Sequence, residues 1–274
     1  GEVVFEGRGG PANLASTPPD IVVQSLANAT DGCPPVDTAF GAFAGLLTEA
    51  DRQRANRLLT ETTGAETVDS AADFVATWHS CPAGTDILVV SGTGSFVCTE
   101  SAGQVVKSGG GGLLLGDHGS CADIGRKALY AACCDPKPID LTPQFAETME
   151  EQLGTSDPKK AIAAVYRLES PPRALAKFVR PRAKAAESGD TCCKQIVEEA
   201  VTGLVNHLVA HSEVHLGCTL PDSVCGGGGL WHIHPIFQEL IQSELKNRSA
   251  NTTFSVLQDP PALGAARLAK NLNS

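Results

Sequence analysis

An apolar strand leads straight into a glycine-rich turn in the first half of the chain. Residues 86–90 read DILVV and residues 91–95 read SGTGS. An apolar run without alternation is typical of a strand whose two faces are both covered, as in parallel sheets. The segment therefore favours an α/β fold with helices on both sides of a sheet. The glycines after it allow a tight turn whose backbone N–H groups can approach an anion.

The remaining pattern predicts further strands early in the chain and helices later. Strand or loop structure is predicted for residues 1–8 (strand), 40–47 (strand and turn), 95–99 with 104–106 (a hairpin turning at 101–103) and 225–229 (glycine-rich loop). Helices are predicted at residues 19–29, 49–59, 73–80, 120–134, 235–245 and 262–272, and through most of 145–215. An apolar stripe in the last of these regions comprises Ile196, Val197, Ala200, Leu204, Val205 and Leu208.

Composition excludes several classes of protein. The 274 residues suggest two domains, and an apolar content of 42% suffices for their cores. A net charge of -10 argues against nucleic-acid binding, which depends on Lys and Arg. No apolar run approaches the length of a membrane span and no signal-peptide pattern opens the chain, so we expect a cytoplasmic protein. The ten cysteines include no Cys-x-x-Cys pair and are expected to be reduced, mostly buried thiols.

Two more glycine-rich segments follow SGTGS. Residues 109–120 read GGGGLLLGDHGS and residues 226–229 read GGGG. Each segment alone has an ordinary explanation: a tight hairpin entry for SGTGS, a helix N-cap for Asp117, and a plain linker for 226–229. Their order along the chain carries more information than any one of them.

In that order the chain resembles a known family. The segments are ILVVSGTGS, GGLLLGDHGSCADIGRKAL, ESGD at 187–190, the Gly-Gly loop and ALGAARLA at 262–269, and GGPAN at 9–13 matches the family's sugar-binding turn. They resemble the BadF/BadG/BcrA/BcrD-type ATPase family, and within it the N-acetylglucosamine and glucosamine kinases of the actin/Hsp70-like superfamily. The resemblance implies an α/β fold of two actin-like (ribonuclease H-like) lobes with substrate bound in an interdomain cleft. The expected lobes are residues 1–96 together with the last helix (262–274), and residues 97–261.

The resemblance also implies an activity and a set of site residues. The activity is ATP-dependent, Mg²⁺-assisted phosphorylation of glucosamine or N-acetylglucosamine at the primary hydroxyl, with a homodimer left open. Asp73 would be the catalytic base that accepts the hydroxyl proton, with Asp69 as its rival. An Asp that merely faces solvent in the first turn of a helix is the alternative. The implied substrate-binding residues are Asn13, Thr93, Gly94, Gly110, Asp117 and Ser120. The implied ATP-binding residues are Ser91, Gly92, Thr93, Gly226, Gly227 and Gly228.

Three departures from the family pattern leave other functions open. His118 stands where relatives carry a sugar-contacting Glu, and Gly111 replaces an aromatic residue. No Asp-Gly-Gly-Thr-like phosphate and Mg²⁺ loop precedes GGPAN, so we expect the natural gene to encode roughly 10–20 residues before Gly1, about one strand and one turn. An ATPase that activates a partner enzyme and an inactive sugar-binding regulator are therefore the alternative functions.

Two further groups of residues have both a functional and a structural interpretation. His207, His211 and His215 recur every four residues on one predicted helix, a spacing that could suit a metal site. We favour histidines placed near the helix C-terminus, where their charge is welcome, because no adjacent Cys or carboxylate completes a metal site. Trp231 follows the third glycine segment and is either an adenine-stacking residue or part of the core.

Overall fold

A computed structural model describes residues 2–136 and 138–272 of the chain. These residues form two compact units, each with its own sheet. One comprises residues 2–82 and 258–272, and the other residues 83–257.

The first unit is built on a small parallel sheet covered by helices. Its elements are α1 (Pro19–Thr30), β1 (Thr38–Phe43), α2 (Glu49–Thr63), β2 (Thr67–Ala72), α3 (Asp73–His79) and α12 (Pro261–Asn271). β1 and β2 pair in parallel, so that Phe43 lies opposite Ala72 at their carboxyl ends. α12 packs against α3 and β1, and Gly264 permits this contact because a Cβ there would overlap the carbonyl oxygen of Ala76.

The second unit contains a five-stranded mixed sheet and most of the helices. Its strands are β3 (Ile87–Ser91), β4 (Ser95–Ser101), β5 (Gln104–Gly109), β6 (Ser223–Gly227) and β7 (Thr253–Val256). Its helices are α4 (Cys121–Cys133), α5 (Pro143–Leu153), α6 (Pro158–Val165), α7 (Pro171–Leu175), a 3₁₀ turn (Ala176–Phe178), α8 (Val179–Glu187), α9 (Thr191–His215), α10 (Leu230–Ile233) and α11 (Ile236–Arg248). The sheet order is β5-β4-β3-β6-β7, antiparallel from β5 to β3 and parallel from β3 to β7.

The apolar stripe of α9 forms the centre of the second unit's core. All six residues predicted from the sequence are buried: Ile196, Val197, Ala200, Leu204, Val205 and Leu208. They pack with strand residues Ile87 and Val89 and with Trp231. The predicted stripe is thus confirmed as the face that covers the sheet.

The division between units lies earlier than the expected 96/97 boundary. β3 and β4 form one antiparallel ladder from Leu88–Cys98 to Ser91–Ser95, and a cut at 96/97 would divide β4. Asp86 ties the start of this ladder to β6, because its carboxylate accepts a hydrogen bond from the Ser223 N–H at 2.9 Å. Residues 83–96 therefore belong to the second unit.

Two strand predictions differ from the structure. Residues 2–13 contain no regular secondary structure, although 1–8 was predicted as a strand. This segment instead runs closely along α1, where a Cβ at Gly7 or Gly9 would overlap carbonyl oxygens of that helix. Conversely, the glycine-rich loop predicted at 225–229 lies mostly in β6, where Gly226 leaves room for the aromatic rings of Phe254 and Trp231.

The cysteines behave as small core residues and surface thiols. None of the ten, all of which lie among the described residues, forms a disulfide; Cys98, Cys121, Cys193 and Cys225 are buried, and Cys134 and Cys218 are exposed. Burial raises the pKa of both the Cys98 and the Cys121 thiol to about 12. Those two thiols are therefore neutral and unreactive near pH 7.

Candidate active site

The three glycine-rich segments meet at one edge of the second unit's sheet. β3 and β6 are parallel neighbours and end at Ser91 and Gly227. Loops that follow the carboxyl ends of neighbouring parallel strands emerge together, and such edges are the usual ligand sites of open α/β sheets. The turn after β6 reaches the turn after β3, since a Cβ on Gly228 would overlap the carbonyl oxygen of Ser91.

The SGTGS turn is fastened to the second glycine-rich segment. Gly92 N–H donates to the Gly94 carbonyl at 2.9 Å, which closes the turn, and Gly92 C=O accepts from Cys121 N–H at 2.8 Å. The Ser91 hydroxyl donates to the carbonyl of Gly119 at 3.0 Å. Thr93 lies exposed at the tip. Within the described residues, the N–H groups of Thr93 and Gly94 donate to no protein acceptor.

Asp117 is a buried carboxylate held against this turn. It is only 7% exposed, and its φ of 57° places it in the left-handed region that Asp tolerates better than most residues. Its Oδ1 accepts a hydrogen bond from Ser95 N–H at 3.2 Å. A Cβ at Gly94 would lie 2.8 Å from its Oδ2, so the carboxylate needs glycine at position 94. Among the described residues Asp117 forms no ion pair.

Ser120 and Gly110 support the same region from two sides. Ser120 is fully buried and caps α4, accepting from Asp123 N–H at 3.1 Å. Gly110 has a left-handed φ of 71° and donates its N–H to Ser95 C=O at 2.9 Å. Of these two predicted substrate-binding residues, Gly110 is exposed, whereas the hydroxyl of Ser120 is engaged in the helix cap.

A buried carboxylate at Asp123 anchors the loop that carries Asp117. Asp123 accepts from Gly119 N–H at 3.1 Å and pairs with Arg126 at 2.8 Å and Lys127 at 3.2 Å. Burial alone would raise the pKa of Asp123. The hydrogen bonds from Arg126 and Gly119 and the charge of Lys127 outweigh burial and hold that pKa below its usual value. Asp123 is therefore ionised and structural, and the sequence analysis had not singled it out.

The three predicted ATP-binding glycines after residue 225 have different environments. Gly226 and Gly227 are buried strand residues, and the Gly227 carbonyl accepts from Trp231 Nε1 at 2.7 Å. Gly228 lies in the exposed turn, with a left-handed φ of 90°. Trp231 is 1% exposed and meets Phe254 edge-on, so it is a core residue and does not present a face to adenine.

In the first unit, Asn13 and Asp73 lie at the carboxyl edge of the β1–β2 sheet. Asp73 directly follows β2 and opens α3, and its carboxylate accepts, among the residues that the structure describes, only from the neighbouring Phe74 N–H, at 2.9 Å. Asn13 lies beside the residues that follow β1, where Leu14 N–H donates to Ala44 C=O at 2.9 Å and a Cβ on Gly45 would overlap Asn13 Oδ1. The two predicted residues thus share one edge of one sheet.

The oxygen and the nitrogen of the Asn13 side-chain amide differ in their availability to a ligand. Its Oδ1 accepts from Ala15 N–H at 2.9 Å and from Ser16 N–H at 3.1 Å, so this oxygen is committed to a local turn. The side-chain NH₂ remains as the donor group. Towards a ligand, the geometry therefore favours donation by Asn13 over acceptance.

The three histidines of α9 form no metal site. Within residues 2–136 and 138–272, no group of three His, Cys, Asp or Glu side chains is arranged to hold an ion. His207 and His211 instead share one partner, the hydroxyl of Ser108, which lies near the end of strand β5. Residue type and spacing do not indicate this contact, because Ser108 lies far from α9 along the chain.

Together these features define a two-unit α/β protein with the actin-like fold of sugar kinases, whose glycine-rich turns and carboxylates gather at the carboxyl edges of its sheets. The sequence model of the BadF/BadG/BcrA/BcrD ATPase family matches residues 1–269, and the chain belongs to this family. The predicted family is therefore confirmed, and with it the fold class.

Similar proteins include named kinases. The chain is 32% identical over 133 residues to an N-acetylmuramic acid/N-acetylglucosamine kinase from Clostridium acetobutylicum; the match covers 47% of this chain and 42% of the relative. A candidate N-acetylglucosamine kinase from Chromobacterium violaceum has a similar structure, with a TM-score of 0.69, 20% identity, and coverage of 95% of this chain and 88% of that one. A ROK family glucokinase from Streptomyces griseus has a TM-score of 0.56 at 16% identity, covering 94% and 90%.

Among the described residues, no helix combines the length and the apolar character that a membrane crossing requires.

Proposed function

We propose that this protein transfers a phosphoryl group from ATP to the primary hydroxyl of an amino sugar, glucosamine or N-acetylglucosamine. The main support is Asp117, a buried carboxylate packed against Gly94 that accepts a single protein hydrogen bond within the described residues. A carboxylate has about four acceptor positions, so Asp117 can still accept from neighbouring sugar hydroxyls. Charge-assisted hydrogen bonds of this kind are stronger than neutral ones and fix the orientation of a sugar ring.

Asp73 is proposed as the group that accepts the proton of the attacking hydroxyl. It is exposed, it follows a sheet strand directly, and its carboxylate has no ion-pair partner among the described residues. Phosphoryl transfer requires little covalent chemistry from the protein. A positioned base and a bound phosphate therefore account for most of the catalysis.

The SGTGS turn is proposed to hold phosphate. The N–H groups of Thr93 and Gly94 have no protein acceptor within the described residues, while the flanking N–H groups of Gly92 and Ser95 are used internally. Two adjacent free N–H groups at an exposed tip suit an anion. Mg²⁺ accompanies ATP in this proposal, but the described residues offer no cluster of three ligating side chains, and we assign no step to it.

The test is a substrate panel followed by product analysis. ADP release is measured with glucosamine, N-acetylglucosamine, glucose and no sugar, and ³¹P NMR identifies the phosphorylated position. We expect release that depends on the amino sugar and a 6-phosphate product. Amino-sugar binding without any transfer would support the sugar-binding regulator instead. Failure to bind either ATP or sugar would refute the proposal.

A further inference from the structure

Three consecutive N–H groups of the SGTGS turn are divided between two anions. Those of Thr93 and Gly94 donate to no protein acceptor within the described residues, and the proposed function assigns them to a phosphate of ATP. The third, that of Ser95, donates to Asp117 Oδ1 at 3.2 Å. A carboxylate of the protein itself therefore occupies the position next to the one proposed for the phosphate.

The carboxylate and a phosphate bound there would lie close together. Consecutive Cα atoms are about 3.8 Å apart, and a hydrogen bond places an acceptor about 3 Å from each nitrogen. A phosphate oxygen on the Gly94 N–H would thus lie at most about 10 Å from Asp117 Oδ1, roughly one Debye length in 0.1 M salt. The other carboxylate oxygen packs against Gly94 itself, since a Cβ there would lie 2.8 Å from Oδ2. At such a separation two like charges repel each other.

Among the described residues, no cation compensates the charge of Asp117. It forms no ion pair, and the basic side chains of Arg126 and Lys127 on α4 pair with Asp123 instead. Asp117 is also buried, so solvent and salt screen its charge less than that of a surface carboxylate. A phosphate that approaches the turn therefore meets an uncompensated negative charge.

The loop that carries Asp117 is tied to the turn, so the carboxylate cannot easily move away from a phosphate. The Ser95 hydroxyl donates to the carbonyl of His118 at 2.9 Å. The Ser91 hydroxyl donates to the carbonyl of Gly119 at 3.0 Å. These two hydrogen bonds hold the residues on the carboxyl side of Asp117 against both ends of SGTGS. The repulsion must then be relieved at the carboxylate itself.

A bound sugar would supply that relief. A carboxylate has about four acceptor positions, and the protein uses one of those of Asp117 within the described residues. Sugar hydroxyls that donate to the other positions form charge-assisted hydrogen bonds and draw the negative charge towards themselves. Phosphate binding at the turn therefore becomes more favourable once the sugar is present.

We propose that Asp117 makes the two substrates bind interdependently, because its charge disfavours the phosphate of ATP at SGTGS until a sugar occupies the carboxylate. The inference rests on the proposed function, which supplies both ligands. By linkage, the sugar raises the affinity for ATP by the same factor by which ATP raises the affinity for the sugar. The free protein thus favours the sugar as the first ligand, which limits transfer of the phosphoryl group to water.

The test is calorimetry of a non-hydrolysable ATP analogue, AMP-PNP with Mg²⁺, on the full chain. Its dissociation constant is measured without sugar and with saturating N-acetylglucosamine or glucosamine, whichever binds more tightly. We expect the sugar to tighten nucleotide binding by at least about fivefold, the lower end of typical coupling between two sites. The factor should decrease when the salt concentration is raised from about 0.05 M to about 0.5 M, because the repulsion is then screened.

Asp117→Asn separates the charge from a structural role. Asn keeps an oxygen for the Ser95 N–H and tolerates the left-handed backbone at this position. Without sugar the variant should bind AMP-PNP more tightly than wild type, by about the coupling factor, and saturating sugar should add little. A carboxylate that only held the turn in place would give unchanged or weaker binding when replaced. Glu213→Gln is the matched control, since it removes one negative charge from an exposed position on α9 and should behave as wild type.

Several outcomes would overturn the coupling and leave the proposed function standing. One is equal affinity of wild type for AMP-PNP with and without sugar. Another is Asp117→Asn that binds the nucleotide no more tightly than wild type in the absence of sugar, or that keeps the full effect of the sugar. Equally tight binding by Glu213→Gln would assign the effect to net charge and also overturn it. If wild type binds neither nucleotide nor sugar, both proposals fail.

Discussion

Arg52 holds Asp69 in a two-point ion pair, with its Nε 2.9 Å from Oδ1 and its Nη2 2.6 Å from Oδ2. The carboxylate also accepts from Ser70 N–H at 2.7 Å. Asp69 is therefore committed to holding α2 against β2. Asp73 has no such partner and lies exposed where β2 ends, which favours it over Asp69 as the proposed base.

Asp73→Asn should abolish most of the phosphoryl transfer and spare sugar binding. The amide keeps the shape of the carboxylate but cannot accept a proton, and loss of a general base costs roughly 10²–10⁴-fold in turnover. Asp20→Asn is the matched control, because Asp20 is another exposed acid in the first turn of a helix of the same unit. Turnover of both variants is measured at saturating sugar. Near-normal turnover of Asp73→Asn would mean that Asp73 is a solvated helix residue.

The ion pair itself should stabilise the first unit in a pH-dependent way. Partial burial would raise the pKa of Asp69, but the hydrogen bonds from Arg52 and Ser70 outweigh it and hold the pKa below its usual value of 3.8. Because the folded pKa is lowered, the contribution is complete above that usual value and is lost as the pH falls through the folded pKa.

Asp69→Asn and Arg52→Gln should each therefore lower the free energy of unfolding at pH 7 by about 1 kcal/mol, because the pair is partly exposed and screened. The difference from wild type should shrink as the pH falls below 3.8 and through the lowered pKa of Asp69. Urea denaturation at pH 7 and in a series of more acidic buffers measures it. Arg57→Gln, an exposed arginine of the same helix, should change stability little. An equal loss in both arginine variants would show that helix propensity, and not the ion pair, is responsible.

Elements with a strong local signal could be predicted from the sequence. α2 begins at a capping box in which the Thr48 hydroxyl accepts from Asp51 N–H while the Asp51 carboxylate accepts from Thr48 N–H, and it ends at a left-handed Gly64.

Neither β2 nor β7 was predicted. β2 reads TVDSAA, too small and polar to show a strand pattern, and β7 has only four residues. Both are strands because a neighbouring strand pairs with them, which is information outside their own sequence.

For the candidate site, the sequence indicated the loops but not their contacts. The resemblance pointed to Asp117 and to SGTGS, and the structure shows their carboxylate and turn in contact. The resemblance could not show that Asn13 Oδ1 accepts hydrogen bonds within its own turn. Nor could it show that the Ser108 hydroxyl contacts two histidines about a hundred residues away. Such contacts depend on how distant segments pack, so residue type and spacing leave them undetermined.

Asp117→Asn should weaken sugar binding without disturbing the fold. Asn tolerates the left-handed backbone conformation of position 117 and keeps an oxygen that can accept from Ser95 N–H. It loses the charge and one acceptor, which should cost about 1.5–3 kcal/mol of sugar affinity, or roughly 10- to 150-fold in Kd. Glu213→Gln, an exposed acid on α9, serves as the control. Calorimetry that finds the same sugar Kd for Asp117→Asn and wild type would contradict the assigned role.

Gly228 and Gly229 offer a matched pair that tests whether the turn after β6 belongs to the nucleotide site. Gly228 has a φ of 90°, and a Cβ there would overlap the carbonyl oxygen of Ser91 and lie 3.2 Å from Gly92 N. Gly229 has a φ of -73°, and a Cβ there would have no neighbour within 4 Å. Alanine is therefore strained and crowded at the first position and unhindered at the second.

Gly228→Ala should lower stability by about 1–3 kcal/mol and push the SGTGS turn from its position. If that turn holds phosphate, ATP affinity should fall severalfold in the same variant, while Gly229→Ala should match wild type in both measurements. Thermal unfolding and ATP calorimetry on the two variants separate the effects. A destabilised Gly228→Ala protein that binds ATP normally would place the phosphates elsewhere. Equal stability of the two variants would show that the backbone at Gly228 accommodates a side chain, contrary to the contact with Ser91.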